Sequence, residues 1–89
     1  MNSHRQTGTS VSGGVSEGAV SGDATAGPCT TGVLLGGGGQ FTVAGKAALH
    51  DSYPTGGGTT GTWVVNYIGT GPGASGSTTL QAYVICSGP

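Results

Sequence analysis

His50, Asp51 and Ser52 are the three side chains of a hydrolase triad written in a row, and their adjacency is the difficulty. Successive residues of an extended chain point to opposite faces, so the three are not expected to converge as nucleophile, base and orienter. No second acid and no G-x-S-x-G elbow accompanies them. They read as a solvated strand edge, and the chain is expected to be non-enzymatic, with no catalytic residue.

Two stretches spell G-x-G-x-x-G, Gly56 to Gly61 and Gly71 to Gly76. A dinucleotide site needs that string to open a helix whose N-terminus receives a pyrophosphate, whereas both strings here run into strand-like sequence. In a chain with 21 glycines among 89 residues such matches arise by chance. Gly39 to Ala47 resembles a P-loop only in part, since Gln40 stands where the first glycine is needed and Ala47 replaces the magnesium-binding hydroxyl. The candidate metal ligands His4, Glu17, Asp23, His50 and Asp51 show no zinc or calcium spacing, so neither metal nor cofactor is expected.

One tryptophan and three tyrosines remain, Tyr53, Trp63, Tyr67 and Tyr83, the types on which sugar rings stack. In so small a protein Trp63 is expected in the core with Val65, Leu80 and Val84. Tyr53, beside Pro54 at a loop entrance, is the candidate glycan contact.

The elements that would position these residues are strands. Rich in Gly, Thr and Ser and poor in helix formers, the chain reads as all-β, a small β-sandwich or barrel-like module with an extended N-terminal arm. Val33 to Leu35 reads as a short strand and Gly36 to Gly39 as a turn or bulge. Gln40 to Ala44 and Ala47 to Tyr53 read as two more strands around a Gly45-Lys46 turn, the second stopped by Pro54. Thr62 to Ile68 alternates Trp63, Val65 and Tyr67 against Val64, Asn66 and Ile68, the clearest strand of the chain. Beyond a Gly69 to Ser77 loop, Thr78 to Ser87 puts Leu80, Ala82, Val84 and Cys86 on one inward face.

Residues 29 to 89 form the expected module and residues 1 to 28 the arm, with the boundary at Gly27-Pro28. A core drawn from about 58 residues is marginal without a staple. Cys29 and Cys86, at the two ends of the apolar segment, suit one disulfide, the alternative being two reduced, buried thiols. The arm repeats Val11-Ser12-Gly13, Val15-Ser16-Glu17-Gly18 and Val20-Ser21-Gly22 without a collagen or helical period. Such a segment cannot bury enough apolar surface alone, so order lent by a neighbouring subunit is expected, with Val11, Val15 and Val20 fixing the register. The alternative is a flexible linker.

Charged residues make up 6% of the chain, with a net charge of −1, so there is no electrostatic footprint for nucleic acid or an anionic membrane. No apolar run approaches a membrane span, and the N-terminus has no secretory h-region. With Met1 and a low-complexity start, the chain reads as a complete small gene product that reaches the oxidising exterior by another route, such as release within a virus particle.

Cys29, Val33-Leu34-Leu35-Gly36-Gly37-Gly38, Ser52-Tyr53-Pro54, Thr62-Trp63-Val64-Val65 and Ala82-Tyr83-Val84-Ile85-Cys86 together resemble a disulfide-framed, glycine-rich β module. That module is associated with actinobacterial secreted or surface proteins and with phage virion proteins such as fibre tips. The resemblance covers residues 29 to 86, with Gly39 and the Gly69 to Ser77 loop departing from the usual spacing. It implies a β-sandwich-like unit, a Cys29–Cys86 bond and no enzymatic activity. The expected function is a structural virion protein, a capsid decoration or fibre component at the virion surface. Its partners would be a capsid or fibre protein, further copies of itself and a host-surface glycan, with no nucleic acid and no membrane insertion. The alternative is a secreted or cell-surface glycan-binding module.

Overall fold

A computed structural model describes residues 2–43, 46–70 and 77–88. The protein is all-β, and the described residues form six strands in order: β1 (Ser3–Gly14), β2 (Ala24–Ala26), β3 (Leu34–Val43), β4 (Ala47–Thr55), β5 (Thr62–Gly69) and β6 (Ser77–Ser87). They form two antiparallel three-stranded sheets, β1-β6-β3 and β2-β5-β4.

The two central strands carry the core, as their period-2 patterns predict. Leu80, Ala82, Val84 and Cys86 of β6 are fully buried and face Val65 and Tyr67 of β5, with Val15, Ala24, Ala26 and Cys29 completing the cluster. Trp63 is half-buried and packs against this cluster from its side. Cys29 and Cys86 are disulfide-bonded across 57 residues of sequence. In the chain-entropy description a loop of that length contributes about 4 kcal/mol by restricting the unfolded chain.

The N-terminal segment departs from expectation. Residues 1–28 were expected to lie across a neighbouring subunit, but β1 pairs with β6 of its own chain from Ser3↔Ser87 to Gly14↔Ser77, and β2 pairs with β5. The boundary expected at residue 28 therefore falls inside the sandwich. Val11 lies opposite Leu80 and packs on the core, Val15 is buried within it, and Val20 alone of the three stays exposed, bridged to Ile68. A Ser/Thr/Gly strand with one inward valine buries little apolar surface of its own and needs a neighbouring strand. β6 is that strand, supplying a ladder of backbone hydrogen bonds and an apolar face.

Side-chain bonds fix this strand further. Gln6 donates from Nε2 to the Pro28 carbonyl (2.9 Å) and accepts at Oε1 from the Thr30 N–H (3.0 Å), beside the disulfide. Thr9 Oγ1 accepts from the Thr25 N–H (2.9 Å) and donates to the Thr25 carbonyl (3.1 Å), joining the two sheets along the β1/β2 side. The backbones approach so closely there that a Cβ on Gly8 would lie 2.2 Å from the Thr25 oxygen, which leaves room only for glycine.

β3 settles the alternative left open at its glycines. Gly36 to Gly39 do not turn the chain but form the middle of a ten-residue strand, and the bulge falls where the run begins, at the register shift between Leu34 and Gly36, with a second shift at Phe41/Val43. Aromatic side chains from neighbouring strands take the space that side chains there would need. A Cβ on Gly37 would lie 2.5 Å from Trp63 Cγ, and one on Gly38 would lie 2.7 Å from the Tyr83 hydroxyl. β4 likewise runs through Pro54 to Thr55, because an edge strand tolerates a proline whose missing N–H would face outward.

Candidate functional site

A cluster of polar side chains meets on the outer face of the β2-β5-β4 sheet, around Asn66. This residue follows Val65 in β5, so alternation turns it away from the core, yet it is only 5% exposed. Its amide donates from Nδ2 to Asp23 Oδ1 (3.0 Å) and Asp51 Oδ2 (3.1 Å) and accepts at Oδ1 from the Asp51 N–H (3.0 Å). His50 Nδ1 lies 3.1 Å from Asp51 Oδ2 and 3.3 Å from Asn66 Oδ1.

The convergence of His50 and Asp51 is a correction to the sequence reading. A register shift between Leu49 and Asp51 in the β4–β5 ladder leaves His50 without a cross-strand partner, and this bulge breaks the alternation that would have sent the two side chains to opposite faces. Ser52 does not join them. Its hydroxyl accepts from Trp63 Nε1 at 2.8 Å and takes no part in the His50–Asp51 contact. Asp23, Asn66 and Asp51 stand just before β2, on β5 and on β4, and the cluster ties the three strands of the sheet together. Buried amides that satisfy every donor and acceptor in this way rigidify a fold. Among the described residues, no group of three or more His, Cys, Asp or Glu is arranged to hold a metal ion, and no cleft is formed.

A second tie crosses the outer face of the β1-β6-β3 sheet. The Arg5 guanidinium of β1 stacks over the Tyr83 ring of β6 at 4.4 Å and donates to Gln40 Oε1 of β3. Tyr83 in turn covers Gly38. The ring is thus held between a cation and backbone and offers little open face to a ligand.

The sequence-assigned residues fall into separate places. Val65, Leu80 and Val84 are in the core with the Cys29–Cys86 bond, and Trp63 flanks it. Tyr67 is buried against Phe41, and of Tyr53, Trp63, Tyr67 and Tyr83 only Tyr53 is exposed, at 43%, opposite Val64 on the outer face of β4. The Gly71 to Gly76 string lies outside the described residues, while Gly56 to Gly61 forms the connection from β4 to β5 and opens no helix. Asn66, Arg5 and Gln40 were missed as site residues, and Asp23, weighed only as a metal ligand, serves instead as an acceptor for Asn66. One asparagine within the apolar run Trp63 to Ile68 is the signal that pointed to the first cluster, and nothing in the sequence pointed to the second.

A disulfide-fastened β-sandwich whose polar clusters serve as cross-strand ties is the class that this geometry defines. Comparison with known proteins finds no matching family model, no matching curated protein and no matching solved structure.

Proposed function

We propose that the protein is a structural component of an extracellular assembly, a decoration or fibre subunit on the surface of a virion. The observation that carries this reading is how the side chains are used. His50, Asp51, Asp23 and Asn66 bond to each other across strands, while large apolar side chains of β3 and β4, Leu35, Leu49 and Tyr53, point outward together with Val33 and Val20. Outward apolar side chains on a rigid frame suit contacts between subunits. The disulfide fits an oxidising exterior, and the low charge fits a chain packed among others. Quantitative mass spectrometry of purified particles from the native source tests the proposal. The protein should be present at many copies per particle, and its absence from particles in a source that expresses it would refute the role.

Exposure of Tyr53 supports a second reading, a module that binds a host or cell-wall glycan through that ring. Retardation of the protein in a polysaccharide gel, abolished by Tyr53→Ala with the fold intact, would favour this reading.

A further inference from the structure

The structure assigns the free edge of β3 as a self-association surface, on which a second copy of this chain pairs antiparallel about Gly38. The inference rests on the structural role proposed above and names the contact that would serve it.

Two backbone bonds determine which groups of β3 face outward. The Ser87 N–H donates to the Val33 carbonyl, toward β3, and the Gly88 N–H donates to the Asn2 carbonyl, toward β1. By alternation along β6, Ile85, Tyr83 and Gln81 bond to β3, at Gly36, Gly38 and Gln40. The N–H and C=O groups of Gly37, Gly39 and Phe41 therefore point away from β6. The Leu34 N–H at the start of the strand is taken by the Gly58 carbonyl, and from Gly36 onward β3 pairs with no other strand among the described residues.

The other edges are guarded. β2 is three residues long, β1 carries Arg5 and is fastened to β2 through Thr9, and β4 has a bulge at His50 and a proline at 54. The regular run from Gly36 to Phe41 holds no proline and no charge. Native sheets usually protect such an edge or use it.

A second β3 fits this edge better than an arbitrary strand. Antiparallel pairing about Gly38 sets Gly37 opposite Gly39 of the second copy, so the outward donors and acceptors of each meet those of the other. It sets exposed Gln40 opposite Gly36, where a side chain would meet nothing within 4 Å. It sets Leu35, 48% exposed, opposite half-buried Phe41. The result is a continuous six-stranded sheet, β1-β6-β3 joined to its two-fold mate.

Sedimentation of the full chain from micromolar to millimolar concentration, with amide hydrogen exchange followed by NMR, tests this assignment. A reversible dimer is expected, with Gly37 and Gly39 amides that exchange freely in the monomer and slow as the dimer fills. Gly36→Lys, which the monomer has room for, would place a cation beside the Arg5–Gln40 pair of the second copy and should abolish the dimer while far-UV circular dichroism is unchanged. A chain that stays monomeric to millimolar concentration overturns the assignment, as does a dimer in which the Gly37 and Gly39 amides stay unprotected. Should Gly36→Lys not fold, the exchange data on the native chain decide alone. A monomer still recovered at many copies from particles would remove this contact and leave the structural role standing.

Discussion

Trp63 occupies the space that a side chain at Gly37 would need: a Cβ built on Gly37 would lie 2.5 Å from the indole Cγ and 2.6 Å from Cδ2. The pair links the two sheets on the side away from β1 and β2, and it explains why a glycine run can sit within a strand. The first expected outcome is that Gly37→Ala destabilises the protein by about 1–3 kcal/mol through overpacking, read from urea denaturation. Gly36→Ala, with open space around it, should be close to neutral.

Removing the indole tests the same contact from the other side. Trp63→Ala should cost about 2–4 kcal/mol, somewhat below the usual range for a large aromatic because the ring is only half-buried. Trp63→Phe should recover most of this loss but not the bond to Ser52. Thermal melts of the two variants beside Ser52→Ala separate the packing from the hydrogen bond.

What the sequence made legible follows from how each strand earns its place. β5 and β6 are held by apolar burial, so Trp63-Val65-Tyr67 and Leu80-Ala82-Val84-Cys86 announce both the strands and their inward faces. β1 is held by backbone pairing and polar staples, and Ser, Thr and Gly at its positions carry no alternating signal. The run Gly36 to Gly39 is poor strand sequence on its own. Trp63, Tyr83 and Leu80 from other strands supply the missing bulk, and that information is tertiary. The meeting of His50 and Asp51 depends on a single bulge, which strict alternation hides.

The Asn66 cluster should behave as a tie. Asn66→Ala leaves the Asp51 N–H without its acceptor and two carboxylates without their shared donor, at a cost of about 2–3 kcal/mol by chemical denaturation. Asn66→Asp should be worse than Asn66→Ala, since it sets a third carboxylate against Asp23 and Asp51. An Asp variant as stable as the native chain would show that the cluster does not hold the sheet.

The disulfide should be complete in the native protein, with no free thiol by mass spectrometry under alkylation. Cys29→Ser with Cys86→Ser should lower stability by about 2–5 kcal/mol.

Whether the N-terminal third is a wall of the sandwich or a tether decides most of this description, and one truncation tests it directly. Deleting residues 1–22 removes β1 and Val15, exposing one edge of β6 and opening the core beside Leu80 and Val84. The truncated chain should lose its cooperative thermal transition by circular dichroism, even with Cys29 and Cys86 bonded. A truncated chain that melts cooperatively at the temperature of the full-length protein would contradict the structure and restore the N-terminal segment as an arm for a neighbour.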